Sequence, residues 1–216
     1  ASTRFPGKPL VDIAGKSMIQ RVFERVSVCK GLTAVLVATD DERIRAHVES
    51  LGYRAIMTGA HHMSGTDRCR EALHLSGIDA DAVINIQGDE PLVNPIQLTE
   101  LIQAFQHGKV EIATLVSPKI DSSELDNPNR IKVVIDYNQN ALFFSRSRIP
   151  SGMFSSNYIA LKHIGLYAFR NDVLRKLVSL PPTELEKSES LEQLRWLYYG
   201  YKIKTIETHI ETPNID

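Results

Sequence analysis

The sequence predicts an α/β fold, with a mostly parallel central sheet flanked by helices, on three observations. Helix-like and strand-like stretches alternate through the first half of the 216-residue chain, the pattern that builds parallel sheets through right-handed crossovers. The strand-like stretches are short and nearly continuously apolar, as expected where both faces of a strand are covered. The helix-like stretches carry apolar residues at helical spacing, and two of them close on a glycine.

The elements follow in order. "SMIQRVFERVSVC" places Ile19, Val22, Phe23 and Val26 on one face of an amphipathic helix. "TAVLVATD" is the first strand. "DERIRAHVESLG" is a helix with acidic residues early and Gly52 as its stop. "RAIMT" is a strand, "GTDRCREALHLSG" a glycine-closed helix, and "DAVINIQGDEP" a strand running into a polar loop. "NPIQLTELIQAFQHG" is a helix with proline suited to its first turn, and "VEIATLVS" a further strand. Beyond about residue 125 the pattern changes. "RIKVVIDYNQNALFFSR" reads as a hairpin, "LKHIGLYAF" as a strand, "RNDVLRKLVSL" and "SLEQLRWLYYG" as helices, and "YKIKTIETHI" as the last strand. With no low-complexity linker and no internal repeat, residues 1–216 are expected to form one domain. The hairpin region, residues 130–170, is expected to extend it and to offer apolar residues to a subunit interface.

Composition narrows the function classes. Hydrophobic residues make up 43% and charged residues 24%, which suits a globular protein with a substantial core. A formal net charge of −1 supplies no basic field for nucleic acid or an anionic membrane, and no apolar run reaches the roughly 18–20 residues of a membrane span. Cys29 and Cys69 are too few for a disulfide framework and suit a reducing cytoplasm.

Ligands of open parallel sheets bind beyond the carboxyl ends of the strands, which selects "ATDD" (38–41), the loop containing "SGTDR", and "QGDEP" (87–91). Asp89 follows a strand where a metal-binding carboxylate would stand, with Gly88 allowing close approach; a plain turn fits the same residues. In "SGTDR", Ser64 or Thr66 can cap a helix whose free N–H groups suit an anion or a base edge, and a cap alone is the simpler account. Arg68 falls in that helix's first turn, where a cation is mildly unfavourable unless it faces a ligand or carboxylate. "RFPGKPL" lacks both the P-loop and the dinucleotide glycine pattern, yet Arg4 and Lys8 flank a Pro-Gly turn that can meet a polyphosphate; a solvated loop is the alternative. The adjacent His61 and His62 point apart, with no third ligand at metal spacing, and read as surface loop. Period two puts His163, Gly165 and Tyr167 on one strand face, a ligand wall or a satisfied core pair. Glu192 and Gln193 are expected at the surface of their helix.

Taken in order, "ASTRFPGKPL", "IQRVFERV", "VATDD", "MTGAHHMSGTDR", "INIQGDEPLV", "NPNRIKVVID", "ALFFSRSRIP", "KHIGLYAF", "LEQLRWLYYGYKI" and the terminal "ID" resemble the 3-deoxy-manno-octulosonate (Kdo) cytidylyltransferases over essentially the whole chain. The resemblance implies a nucleotide-diphospho-sugar transferase type of fold. It implies transfer of CMP from CTP to Kdo, releasing pyrophosphate, for the lipopolysaccharide inner core, by a cytoplasmic homodimer that uses Mg2+. It implies that Arg4 and Lys8 hold the triphosphate and that Ser64, Gly65, Thr66 and Arg68 line the nucleotide pocket. Asp89 and Asp216 would bind the metal, with Lys8 among the catalytic groups. Gln87 would sit between nucleotide and sugar, His163, Tyr167, Glu192 and Gln193 would contact sugar hydroxyls, and Arg146 would take the sugar carboxylate. The family places an apolar strand and a Pro-Ala-Arg segment before the stretch that opens here, and a helix after its end. Both are expected to flank this segment. Rival readings are a cytidylyltransferase for an amino-Kdo or a sialic acid, and a non-catalytic nucleotide-binding module. A dinucleotide-dependent oxidoreductase lacks its glycine fingerprint.

Overall fold

The structure, a computed structural model, describes residues 7–106, 109–154 and 158–210. Two compact units divide the chain between Thr99 and Glu100.

In the first unit, a 3-10 turn at Lys8–Leu10 leads into a hairpin of β1 (Asp12–Ile13) and β2 (Lys16–Ser17). Ala14 and Gly15 both take positive φ, the requirement of a two-residue primed turn, and Gly15 N–H donates to Asp12 Oδ1 at 3.0 Å. Helix α1 (Met18–Ser27) starts where Ser17 accepts from Gln20 N–H, and buries Met18, Ile19, Val22 and Val26. Strand β3 (Val37–Thr39) precedes α2 (Glu42–Ser50), which Asp41 caps by accepting from Arg43 N–H. Strand β4 (Ala55–Met57) pairs in parallel with β3. Helix α3 (Gly65–Ser76) runs from its Ser64 cap to Gly77, whose left-handed φ of 67° ends it. Strand β5 (Ala82–Asn85) leads to the polar loop. Ile19, Val37 and Val48 form a core packed by Phe23, Ile44, Tyr53 and Ala55, with Phe23 stacked on Tyr53 at 4.0 Å. Helix α4 (Pro95–Gln106) carries the division between the units.

The second unit is built on β6 (Ile112–Ser117), β7 (Lys132–Ile135), β8 (Ala141–Ser145), β9 (Leu161–Arg170), the helices α5 (Asn171–Leu177), α6 (Glu184–Glu189) and α7 (Gln193–Tyr198), and β10 (Ile203–Glu207). Its strands lie in the order β10–β6–β9–β7–β8. Among the described pairings within this unit only β10–β6 runs parallel; β9 is antiparallel to β6 and β7, and β7–β8 is the expected hairpin. Every residue of β6 is buried, as a strand covered on both faces requires. Trp196, 1% exposed, sets its ring edge-on to Tyr167 and Phe169 at 5.1 and 5.2 Å.

Lys132 is fully buried, and its ammonium donates to the carbonyls of Asn127, Arg130 and Arg146 at 3.0, 2.6 and 2.5 Å. Desolvation pulls its pKa below the ordinary lysine value, while Asp126 and Glu189 oppose that pull. Among the described residues no helix is long and apolar enough to cross a membrane.

Candidate active site

The carboxyl ends of β3, β4 and β5 meet the N-terminus of α3 in the first unit, where three expected stretches converge. Lys8 and Asp89, 81 residues apart, form an ion pair at 3.0 Å with side chains 20% and 42% exposed. The pair is accessible, which suits groups that exchange each other for a charged ligand. Asp89 rides on the turn closed by Glu90 N–H donating to the Gln87 carbonyl at 3.2 Å.

Ser64 Oγ accepts from Asp67 N–H at 3.1 Å and donates to Asp67 Oδ2 at 2.9 Å. Thr66 is 3% exposed and Gly65 opens the helix. A Cβ on Gly65 would lie 3.0 Å from the Gln87 amide nitrogen and 3.3 Å from that of Asn85, so glycine is what lets two carboxamides reach the helix start. Asn85, 8% exposed, is the last residue of β5, and as an ordinary strand amide it carries no signal in the sequence that it meets Gln87 at the helix start. Arg68 faces a carboxylate: it donates to Asp40 Oδ2 at 3.0 Å and to Thr58 Oγ1 at 2.6 Å. That explains a cation in the first turn of a helix, and it ties α3 to the ends of β3 and β4.

Asp89 is a hard oxygen donor, and among the described residues no group of three or more His, Cys, Asp or Glu forms a cage. A single accessible carboxylate fits Mg2+, which takes one or two carboxylates and completes its shell with phosphate oxygens and water. Arg4 and Asp216 lie outside the described residues.

In the second unit, His163 and Tyr167 sit on β9 with ring centroids 5.3 Å apart. Four residues of regular strand would separate them by about 13 Å. A bulge brings them together: Thr114 pairs with Tyr167 and Leu115 with Ile164, leaving Gly165 and Leu166 unpaired between them. His163 and Tyr167 lie on one face, opposite Val116 and Thr114, and the bulge at Gly165 and Leu166 replaces the simple alternation expected between them. Thr114 Oγ1 lies 2.8 Å from the Leu166 carbonyl, to which it can donate, and 3.0 Å from His163 Nε2. Desolvation, with Phe144 edge-on at 5.0 Å, lowers the His163 pKa to about 3, so the ring is neutral at physiological pH. Burial raises the Tyr167 hydroxyl well above its usual value, and the charge of Glu192 adds to the effect.

Glu192 is half-buried at the start of α7, while Gln193 is 5% exposed, so the expected surface position of Gln193 is corrected. Gln193 falls on the inward side because Leu194 and Trp196 anchor the same short helix in the core. Arg146 donates from Nε to the Glu189 carbonyl at 2.6 Å, from Nη1 to Pro128 at 2.9 Å and from Nη2 to Ser190 at 3.2 Å. These bonds use three of the guanidinium's five N–H donors and fix the half-buried side chain, leaving one N–H on Nη1 and one on Nη2.

Sequence comparison places the chain among the nucleotidyltransferases. The profile of the Cytidylyltransferase family matches residues 1–206, and the chain belongs to that family. The 8-amino-3,8-dideoxy-manno-octulosonate cytidylyltransferase of Shewanella pealeana (strain ATCC 700345 / ANG-SQ1) is 49% identical over 218 residues, covering 100% of this chain and 89% of that protein. The protein of the same name from Shewanella sp. (strain W3-18-1) is 50% identical over 206 residues, covering 94% and 84%. A solved CMP:2-keto-3-deoxy-manno-octonic acid synthetase complexed with CTP superposes with a TM-score of 0.94 at 44% identity, covering 100% of this chain and 89% of that one. The 4-diphosphocytidyl-2C-methyl-D-erythritol synthase of Anaerococcus prevotii DSM 20548 superposes at 0.58 with 14% identity, covering 96% and 86%, a likeness of fold alone.

Proposed function

We propose that the chain transfers CMP from CTP to Kdo, releasing pyrophosphate, and so activates the sugar for the lipopolysaccharide inner core. The observation that carries this reading is the Lys8–Asp89 pair at 3.0 Å, on the loop whose Gln87 side chain reaches the α3 N-terminus. A bound polyphosphate would take Lys8, and the freed Asp89 carboxylate would face a cation. Arg4 joins Lys8 on the triphosphate. Ser64, Gly65 and Thr66 offer the helix start to the nucleotide, Gln87 stands between nucleotide and sugar, and Arg68 acts by holding α3 in register with Asp40 and Thr58. A pocket of fixed size with paired hydrogen-bonding groups favours cytosine over larger bases. The neutral His163, Tyr167, Glu192 and Gln193 suit sugar hydroxyls, and a ring held neutral adds no charge that would draw in a competing anion.

The reaction is an in-line attack of the sugar's anomeric oxygen on the α-phosphorus of CTP, with pyrophosphate leaving. The protein's part is to align the two and to neutralise charge as it develops. Asp89 and Asp216 would hold Mg2+, which when bound neutralises phosphate oxygens. Lys8 supplies fixed positive charge on the leaving side. Exposed Leu142, Met153, Phe154 and Ile159 in the 130–170 region support a homodimer through that hairpin. The protein is read as cytoplasmic.

A second reading has its own support: the relatives at 49% and 50% identity carry the 8-amino-3,8-dideoxy sugar in their names. The test is pyrophosphate release from full-length protein with Mg2+, CTP or another nucleoside triphosphate, and either sugar. Release that requires CTP and a Kdo-type sugar supports the proposal, and the faster sugar assigns the acceptor. Release without sugar, or none at all, overturns it.

A further inference from the structure

We propose that Glu71 is a positioning residue for nucleotide binding: it knots the 59–62 loop onto α3 and so fixes the helix start that meets the base and ribose. The inference rests on the reading that Ser64, Gly65 and Thr66 receive CTP.

A single carboxylate oxygen holds both ends of the loop. Glu71 Oε2 accepts from Gly59 N–H at 2.7 Å and lies 2.5 Å from His62 Nε2. Between these anchors the His61 ring folds back over Gly59, where any Cβ would strike it, and packs against His62 with centroids 4.5 Å apart. These contacts make the four residues a compact knot.

Three side chains of one helix then hold the chain that enters it. Asp67 binds Ser64, Arg68 binds Thr58, and Glu71 binds Gly59 and His62. Asp67 and Glu71 stand four apart on one helical face, where like charges disfavour each other. Each takes donors from the loop instead, and Gly59 N–H, followed by His62, holds the Glu71 carboxyl below its usual range. The arrangement has an evident use if the path from Thr58 to Ser64 must not drift. Glu71 itself lies almost two turns into α3, past the residues that would touch the nucleotide. It acts through the loop, and the sequence gives no hint of it beyond an acidic residue in a helix.

The experiment compares full-length wild type, Glu71→Ala and Glu71→Gln by steady-state kinetics, CTP calorimetry and hydrogen exchange of residues 59–64. The expectation for Glu71→Ala is a rise of about tenfold in KM and Kd for CTP, with kcat and the sugar KM within about twofold of wild type. Exchange should accelerate in residues 59–64 and stay unchanged elsewhere. Glu71→Gln, which can still accept from Gly59 N–H, should recover most of the CTP affinity. Unchanged CTP affinity in Glu71→Ala overturns the inference, as do equal losses in kcat and both KM values with exchange accelerated throughout. A wild type that binds no CTP overturns the functional reading itself, and that failure is visible in the control before any variant is compared.

Discussion

Breaking the Lys8–Asp89 pair should separate catalysis from stability. The two side chains are 20% and 42% exposed, and an ion pair so open to water contributes about 0–1 kcal/mol to folding. Lys8→Met keeps the apolar stem and removes the charge, and Asp89→Asn keeps the shape and removes the negative charge. Each should shift the urea midpoint by less than about 0.5 M, taking a slope of roughly 2–3 kcal/mol/M for a chain of this size. The catalytic cost follows a different scale. A group that stabilises developing charge is worth about 3–4 kcal/mol, so kcat should fall by about two to three orders of magnitude in either variant. Urea unfolding followed by circular dichroism, beside pyrophosphate release, measures both quantities. A loss of about 3 kcal/mol in stability with a matching loss of activity would refute the reasoning, because the pair would then be a structural strut. Wild-type turnover in Asp89→Asn would remove that carboxylate from the chemistry altogether.

Three further outcomes follow from the same geometry. Lys132→Met should cost about 3–5 kcal/mol, since it leaves three carbonyls without the buried charge that gathers them; urea unfolding reads this directly. His163 should show no ring titration by NMR between pH 5 and 8, and its lowered pKa makes stability fall as pH drops from about 6.5 towards about 3, because the unfolded chain takes up a proton there that the folded one refuses. His163→Asn should flatten that part of the stability profile. Gly65→Ala should change stability by under about 1 kcal/mol, since the Gln87 amide can move aside, yet raise the KM for CTP several-fold by pushing two carboxamides from the helix start.

Much of the helical layout was legible because its punctuation is local. Ser17, Asp41 and Ser64 cap their helices through their own side chains, and Gly77 ends α3 in a left-handed conformation. The β1–β2 hairpin was not legible, since two-residue strands carry no periodicity and Ala14 is not a residue that advertises positive φ. The β9 bulge was hidden for the opposite reason: the sequence alternates well, and the break comes from pairing with β6. Site residues at strand ends could be nominated from the rule that places ligands there, but the pairing of Lys8 with Asp89 spans 81 residues and no local pattern encodes it. Arg146 was nominated through the family resemblance, and only the tertiary fold reveals that three of its N–H groups also hold the carbonyls of Pro128, Glu189 and Ser190. Glu71 and Asn85 escaped notice because a lone acid in a helix and an amide in a strand are ordinary until their neighbours are known.

Product analysis tests the central claim most directly. Full-length protein incubated with CTP, Mg2+ and a Kdo-type sugar should yield a CMP–sugar whose phosphate is bonded to the anomeric oxygen, detected by mass and phosphorus NMR, with one pyrophosphate released per product. Formation of that conjugate only when CTP and sugar are both present is the predicted result. CTP bound or hydrolysed with no CMP–sugar formed would contradict the account.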